Sequence, residues 1–220
     1  MTFHFPENVT IDPAHIWCQV FDSAKRFKNA RPALFLDRDG VIVEEVHYLH
    51  QVEDVTLIEG ASNVIAQANA RDIAVVIVTN QAGIARDMFG WEEFSAVQQR
   101  MLDLLHEQTG AFVDAGYACP HHKVGKPPFG HGNHEARKPN PGMLTRAMDA
   151  IDIQATQSWI VGDKASDLQA GRAAGLCGGI HVLSGHGSDA GEVEKAEQLA
   201  NKSFHVKLMK AIKYTSEVIF

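Results

Sequence analysis

In the stretch Leu34-Phe35-Leu36-Asp37-Arg38-Asp39-Gly40-Val41 a short apolar run ends in two carboxylates and a glycine. Ala33 to Leu36 is continuously apolar rather than alternating, the pattern of a strand in a parallel sheet covered on both faces. Charged side chains do not stay in such a core. Asp37 and Asp39, two residues apart and so on one face, are therefore expected to emerge together at the strand's carboxyl end. Gly40 lets the chain turn sharply there. Two carboxylates held this close divide their labour: one stays ionised as nucleophile or metal ligand while the other carries a proton.

The plan repeats downstream. Ile73 to Thr79 reads as a second strand and ends in Thr79-Asn80-Gln81-Ala82-Gly83-Ile84-Ala85-Arg86. Ala111 to Cys119 reads as a third. It is followed by Cys119-Pro120-His121-His122, a Gly- and Pro-rich stretch with His131 and His134, and then Arg137-Lys138-Pro139-Asn140-Pro141-Gly142. Ser158 to Val161 is a fourth strand, leading into Gly162-Asp163-Lys164-Ala165-Ser166-Asp167, and Gly179 to Leu183 is a fifth. Helices are expected between them. One runs from Gly60 to Asn69 with Ser62 as N-cap, and one from Trp91 to Gln108, stopped by Gly110. A third begins at Pro141 and continues through Ala150, and a fourth, Leu168 to Ala174, is capped by Asp167 and stopped by Gly175.

Strand alternating with helix from Ala33 to Leu183 predicts an α/β fold: an open, mostly parallel Rossmann-like sheet with helices on both faces. Polar clusters terminate three of the strands at their carboxyl ends, the edge where such sheets bind ligands. Val43 to Ile58 lacks a clean period and reads as a short flap or hairpin beside the site, too short for a large cap domain. Residues 1–30 are read as an N-terminal extension with a helix around Ala14 to Phe27, and residues 31–190 as the sheet domain. Residues 191–220 are read as a C-terminal extension of one or two amphipathic helices, with Phe204, Val206, Leu208, Met209 and Ile212 making the apolar contacts.

Composition narrows the function. A chain of 220 residues carries one well-cored domain. Its apolar runs are strand-length and no basic-then-apolar leader opens it, so a cytoplasmic protein without a membrane span is expected. Cys18, Cys119 and Cys177 are odd in number and scattered, which argues against a disulfide framework. A net charge of −7 argues against general nucleic-acid binding and leaves room for a local basic pocket that takes a phosphorylated small molecule.

The ordered set Asp37-x-Asp39-Gly40, Thr79-Asn80, Lys138 and Gly162-Asp163 with Asp167 resembles the haloacid dehalogenase superfamily of phosphotransferases. The longer strings Thr79-Asn80-Gln81-x-Gly83-Ile84-Ala85-Arg86, Cys119-Pro120-His121-His122, Arg137-Lys138-Pro139-x-Pro141-Gly142-Met143 and Val161-Gly162-Asp163-Lys164 are more particularly similar to the D-glycero-D-manno-heptose 1,7-bisphosphate phosphatase family, with histidinol-phosphate phosphatases as close relatives. The resemblance implies an aspartyl-phosphate mechanism. In it Asp37 attacks phosphorus, while Asp39 protonates the leaving oxygen and then activates water. Asp37, the Asp39 carbonyl and Asp163 hold Mg²⁺, and Thr79 and Lys138 stabilise the transferring group. Oxygen ligands suit that hard cation, and phosphoryl transfer needs positive charge around the equatorial oxygens. Asn80, Gln81, Arg86 and Arg137 are the candidates for binding the rest of the substrate, since Arg grips a second phosphate bidentately.

Two departures from the family pattern stand out. The family's Cys-x-His element is followed by Cys-x-Cys in a structural zinc site, but here His134 and Ala136 occupy the two later cysteine positions. Cys119, His121 and His134, with His131 or His122 as a fourth ligand, are the candidate zinc set, against a metal-free loop. The flap carries Val43 and His47-Tyr48 where relatives carry Asn and Gly-Tyr, at a place where sugar selectivity is set. The expected activity is hydrolysis of a heptose bisphosphate. The competing readings are a histidinol-phosphate or other small-molecule phosphatase, and a noncatalytic phosphosugar-binding protein.

Overall fold

In a computed structural model that describes residues 5–219, the chain folds around one sheet. The strands are β1 (Val9–Ile11), β2 (Trp17–Val20), β3 (Ala33–Leu36), β4 (Ala74–Asn80), β5 (Ala115–Cys119), β6 (Trp159–Gly162), β7 (Gly178–Val182) and β8 (His205–Met209). The helices are α1 (Ala61–Ala70), α2 (Ala82–Ala85), α3 (Trp91–Thr109), α4 (Gly142–Ala150), α5 (Ala165–Ala173), α6 (Glu192–Glu197) and α7 (Ser216–Ile219). The eight strands lie in the order β1-β2-β5-β4-β3-β6-β7-β8. All neighbours from β5 to β8 are parallel, and β1 and β2 add on antiparallel. After β3 the chain builds outward through β4 and β5, then crosses back to β6 on the other side. The carboxyl end of β3 is thus the switch point, where open α/β sheets leave a crevice.

The apolar run of β3 explains its central place. Leu34 and Leu36 face one core layer, with Val64, Ile65, Val97 and Met101, while Ala33 and Phe35 face the other, with Met143, Leu144, Leu168 and Phe204. All four β3 side chains are at most 2% exposed. Fully burying a side chain such as Phe35 stabilises by about 1.5–3 kcal/mol, so a polar substitution in β3 costs the layer that the side chain faces.

Three expectations need correction. The segment Ala14 to Phe27 forms β2 and a 3₁₀ turn over Asp22–Arg26 rather than one helix. Trp17, 1% exposed, packs edge-on against Phe94, and β2 pairs with β5, so tertiary pairing overrides local helical spacing. The tail is not chiefly helical, because His205–Met209 adds β8 beside β7 between two short helices. Its apolar residues Val206 and Leu208 are two apart, the strand period. The third strand is also shorter than expected, beginning at Ala115. Asp114 just before it is fully buried, with Oδ2 accepting from the Val75 N–H at 2.9 Å and the Arg26 guanidinium paired with its carboxylate.

Smaller differences concern caps. Gly60, at φ 83°, is the N-cap of α1, and the Ser62 hydroxyl instead donates to Gln108 Oε1 at 2.8 Å. Helix α5 starts at Ala165. Asp167 therefore lies in its first turn, where Oδ2 accepts from the Lys164 N–H at 2.9 Å. Among the described residues no helix is long and apolar enough to cross a membrane. The segment after β3 closes on itself through Ile58 N–H to Ile42 O and Glu44 N–H to Thr56 O, both 2.9 Å, forming the short flap.

Candidate active site

Asp37 follows the last residue of β3, and its N–H still donates to Val161 O at 3.0 Å, so the sheet fixes its backbone. Its Oδ1 accepts from the Arg38 N–H at 2.8 Å and lies 3.0 Å from Lys138 Nζ. Lys138 is only 3% exposed. Its ammonium also touches Asp167 Oδ1 at 2.6 Å and donates to Val78 O at 2.8 Å. Asn80, at the end of β4, holds the lysine's backbone: its Nδ2 donates to Lys138 O and its Oδ1 accepts from Lys138 N–H, each at 3.1 Å. The Asn80 amide is committed to placing the cation.

Asp163, on the turn between β6 and α5, completes the cluster. It is fully buried, Oδ2 accepts from the His186 N–H at 2.8 Å, and Oδ1 has no partner. Among the described residues Asp37, Asp163 and Asp167 form the one group of three potential ligand side chains whose ligand atoms lie within 4.8 Å of each other. Against three carboxylates stands one ammonium, which leaves two negative charges uncompensated when all are ionised. Burial therefore pushes Asp163 up to about 8, helped by Asp37 and Asp167. Asp37 is likewise pushed up to about 6 by burial, against the pull of Lys138. Burial works to lower Lys138, but Asp167 and Asp37 overcome it and hold the ammonium above its ordinary range.

That charge deficit, the partnerless Asp163 Oδ1 and an all-oxygen donor set fit a hard divalent cation. Asp167 is within the cluster, but Lys138 takes one of its oxygens and the Lys164 N–H the other, which leaves Asp37 and Asp163 with the freer ligand atoms. The backbone around them is tight. Gly40 has φ 78°, and a Cβ there would lie 2.5 Å from Asp163 Oδ2; Ser184 Oγ donates to Gly40 O at 2.7 Å and closes the turn. At Gly162 a Cβ would lie 2.2 Å from the Asp167 Cβ, so both glycines are required for the two aspartate loops to meet.

The Asp39 carboxylate points elsewhere. It pairs with its neighbour Arg38, at 2.9 Å from Nη2 to Oδ1 and 3.2 Å from Nε to each oxygen. Gln81 Nε2 donates to Asp39 Oδ2 and to Thr79 Oγ1, both at 2.9 Å, and the Thr79 hydroxyl is 3.5 Å from Asp39 Oδ2. The structure thus brings Asp37, Asp39, Thr79, Asn80, Gln81, Lys138 and Asp163 to one edge of the sheet. Arg86 is exposed, with its guanidinium 5.6 Å from the Tyr48 ring centre, and Tyr48 itself has φ 57°. Arg137 donates from Nη1 to His121 O at 2.8 Å. Arg38, Asp167 as a partner of Lys138, and the Ser184–His186 turn did not stand out in the sequence reading of the site. The alternation of charges in Asp37-Arg38-Asp39 was the available signal for Arg38.

The candidate zinc ligands His121, His131 and His134 lie near one another, with ring centres 3.8–6.3 Å apart, but with Cys119 they do not bring three ligand atoms within 4.8 Å of each other. Cys119 is buried and its thiol is pushed up to about 11 by that burial. The His121 and His134 rings are stacked face to face, with centres 3.8 Å apart, rather than aimed at a common point, and His131 is exposed. His121 Nε2 is engaged by Ala14 O at 2.8 Å. As placed, these residues do not form a metal site.

The HAD-hydrolase-like family profile matches residues 135–206. A D-glycero-β-D-manno-heptose-1,7-bisphosphate 7-phosphatase from Mesorhizobium japonicum is 48% identical over 148 residues, 67% of this chain and 68% of the relative. One from Haemophilus ducreyi is 35% identical over 175 residues, 78% of this chain and 93% of the relative. This chain belongs to that family of HAD-like phosphatases. Among solved structures, an HAD-like phosphatase from Mesorhizobium loti superposes with a TM-score of 0.81 at 38% identity, covering 93% of this chain and 91% of that one. The D,D-heptose 1,7-bisphosphate phosphatase from B. bronchiseptica, solved with magnesium and phosphate, superposes with a TM-score of 0.68 at 28% identity, covering 84% and 96%. Both superpositions extend over most of this chain, including its open sheet.

Proposed function

We propose that this chain hydrolyses a heptose bisphosphate, D-glycero-D-manno-heptose 1,7-bisphosphate, at its 7-phosphate and leaves the heptose 1-phosphate. The observation that carries the reading is the Lys138-bridged pair Asp37 and Asp167, with Asp163 Oδ1 partnerless beside them and Asp39 held apart at the same edge. In this reading Asp37 is the nucleophile: one of its oxygens bonds to phosphorus as the ester oxygen leaves. Asp39 gives its proton to that oxygen as the P–O bond breaks. It then takes one from the water that attacks the aspartyl phosphate and releases inorganic phosphate. Lys138 faces Asp37 and neutralises charge on the phosphoryl oxygens, with Thr79 as a hydroxyl donor beside it.

Asp37, Asp163 and the Asp39 carbonyl would hold Mg²⁺, which would supply positive charge that offsets the phosphoryl oxygens. The Cys119 loop is assigned no metal. Arg86 and Arg137 stay proposed as contacts to the part of the substrate remote from the reacting phosphate, with Gln81 acting through Asp39. The test is phosphate release from a panel of heptose bisphosphate, other sugar phosphates and histidinol phosphate, with Mg²⁺ present. A preference for the heptose bisphosphate is expected, and a preference for histidinol phosphate would overturn the substrate. Absence of turnover on every member would favour the noncatalytic reading.

A further inference from the structure

Arg38 is among the largest fully buried side chains, at 1% exposure, and it stands between Asp37 and Asp39 in the chain. Its guanidinium is committed on one edge: Nε and Nη2 embrace the Asp39 carboxylate at 2.9–3.2 Å. Its plane lies over the Phe94 ring, 5.2 Å from the centre, and Phe94 is itself locked among Trp17 and Trp91. Nη1 is buried without a partner. A buried donor left unpaired is destabilising, and an apolar side chain of similar size would avoid that loss. Stability does not account for an arginine here.

We propose that Arg38 is a positioning residue for Asp39, fixing the orientation of its carboxylate toward the leaving group. The inference rests on the acid/base role assigned to Asp39 above. Two donors from different elements hold this one carboxylate: Arg38 from the turn after β3 and Gln81 Nε2 from the end of β4. Asp39 carries its flexible carboxylate on a turn, where a single hydrogen bond would leave it free to rotate. The planar fork of an arginine removes that freedom at less entropic cost than a lysine would. Phe94 fixes the guanidinium in turn, so the acid is held by a chain of contacts that runs into the core behind it. Misplacing a reacting group by an ångström costs on the order of 10²-fold in rate.

The experiment compares Arg38→Met, Arg38→Lys and Asp39→Asn with wild type in saturating Mg²⁺, reading kcat/KM on an alkyl sugar phosphate and on p-nitrophenyl phosphate. This constant reports formation of the phosphoenzyme, and only the alkyl leaving group needs a proton. Loss of a positioned acid is expected to lower the alkyl value by about 10²-fold and the aryl value by no more than about 3-fold. Because the same carboxylate later activates water, the Arg38 variants are also expected to show a pre-steady-state burst of nitrophenolate. Melting temperatures of both Arg38 variants are expected within about 4 °C of wild type. Arg38→Lys keeps the charge but not the fork and should show the same selective loss, which keeps the test valid if Arg38→Met fails to fold. Equal losses on both substrates, or none, in the Arg38 variants while Asp39→Asn shows the selective loss would overturn the role of Arg38 alone. If Asp39→Asn loses nothing selectively, the acid/base assignment falls and this inference with it.

Discussion

Replacing Asp163 by Asn is expected to make the metal-free protein more stable while abolishing its activity. In the folded chain Asp163 is held to about 8 by burial and by Asp37 and Asp167, whereas in the unfolded chain it titrates near ~4. At pH 7 the unfolded state therefore gains about 3 pH units of ionisation that the folded state forgoes, an effect of ~4 kcal/mol against folding. Asn removes that difference and its carbonyl can keep the His186 N–H, which Oδ2 accepts now at 2.8 Å. The new buried NH₂ has no assured acceptor and returns about 1–2 kcal/mol. The net stabilisation is about 2–3 kcal/mol, or roughly 5–10 °C in Tm for a chain of this size. The pH dependence has a fixed sign. Asp163 and Asp37 both have folded pKa values raised above the unfolded one. Their contribution is complete below pH ~4 and is lost as pH rises through about 6 for Asp37 and about 8 for Asp163. Denaturant unfolding in chelator between pH 4 and 9, repeated with Mg²⁺, measures this. A divalent ion bound only by the folded state should raise the wild type and flatten its slope, with little effect on the variant. Asp163→Asn less stable than wild type in chelator at pH 7, or metal-free wild type gaining stability from pH 5 to 8, would refute the electrostatic account.

Lys138→Met should lose activity and cost the metal-free protein about 3–5 kcal/mol, because it strips the one cation from buried Asp37 and Asp167; chemical denaturation checks this, and a loss under 1 kcal/mol would contradict it. Asp37→Asn should fold normally and release no phosphate above background in a phosphate assay, the amide being a poor nucleophile. Protein purified without chelator should contain far less than one zinc per chain by elemental analysis, and Cys119→Ser should leave protease sensitivity of residues 118–138 unchanged. Stoichiometric zinc released by that substitution would show that metal draws the stacked His121 and His134 apart.

The central sheet could be read from the sequence because its signal is local. The apolar runs of β3 and β4 each end in a polar cluster, and helix-period stretches separate the parallel strands. Asp37, Asp39 and Asp163 were visible because they follow closely on strand ends, and Thr79 because it lies near the end of β4, whereas Lys138, far beyond the end of β5, was visible only through the resemblance of its motif. The two edges of the sheet were harder. Trp17–Val20 becomes a strand only through β5 and an aromatic corner supplied by α3, and His205–Met209, whose Val206 and Leu208 show the strand period over a few residues only, is fixed as one by β7. The site had the same limit. That Asn80 serves the Lys138 backbone depends on how a loop 58 residues away returns to β4, and that Gln81 serves Asp39 before any ligand depends on how the turn after β3, 42 residues away, sits beside it. The candidate zinc set was carried over from the family's pattern, and a pattern of residue types does not encode that two imidazoles would stack.

The antiparallel hairpin β1–β2 has a bearing on where this chain could be shortened. Its turn does not merely border the sheet: Ala14 O holds His121 Nε2 at 2.8 Å, and Asp12 Oδ2 takes Arg146 Nε at 3.0 Å. Arg146 reaches on to Glu135 Oε1 at 2.8 Å, and His121 O accepts from Arg137, the residue before Lys138. A cut that removed the first twenty residues would spare every catalytic side chain, but it would take Ile16 out of the core layer of Ala33 and Phe35 and unfasten the loop that delivers the lysine to the nucleophile. Trimmed versions of this protein would lose stability and activity together, and an affinity tag belongs at the other terminus.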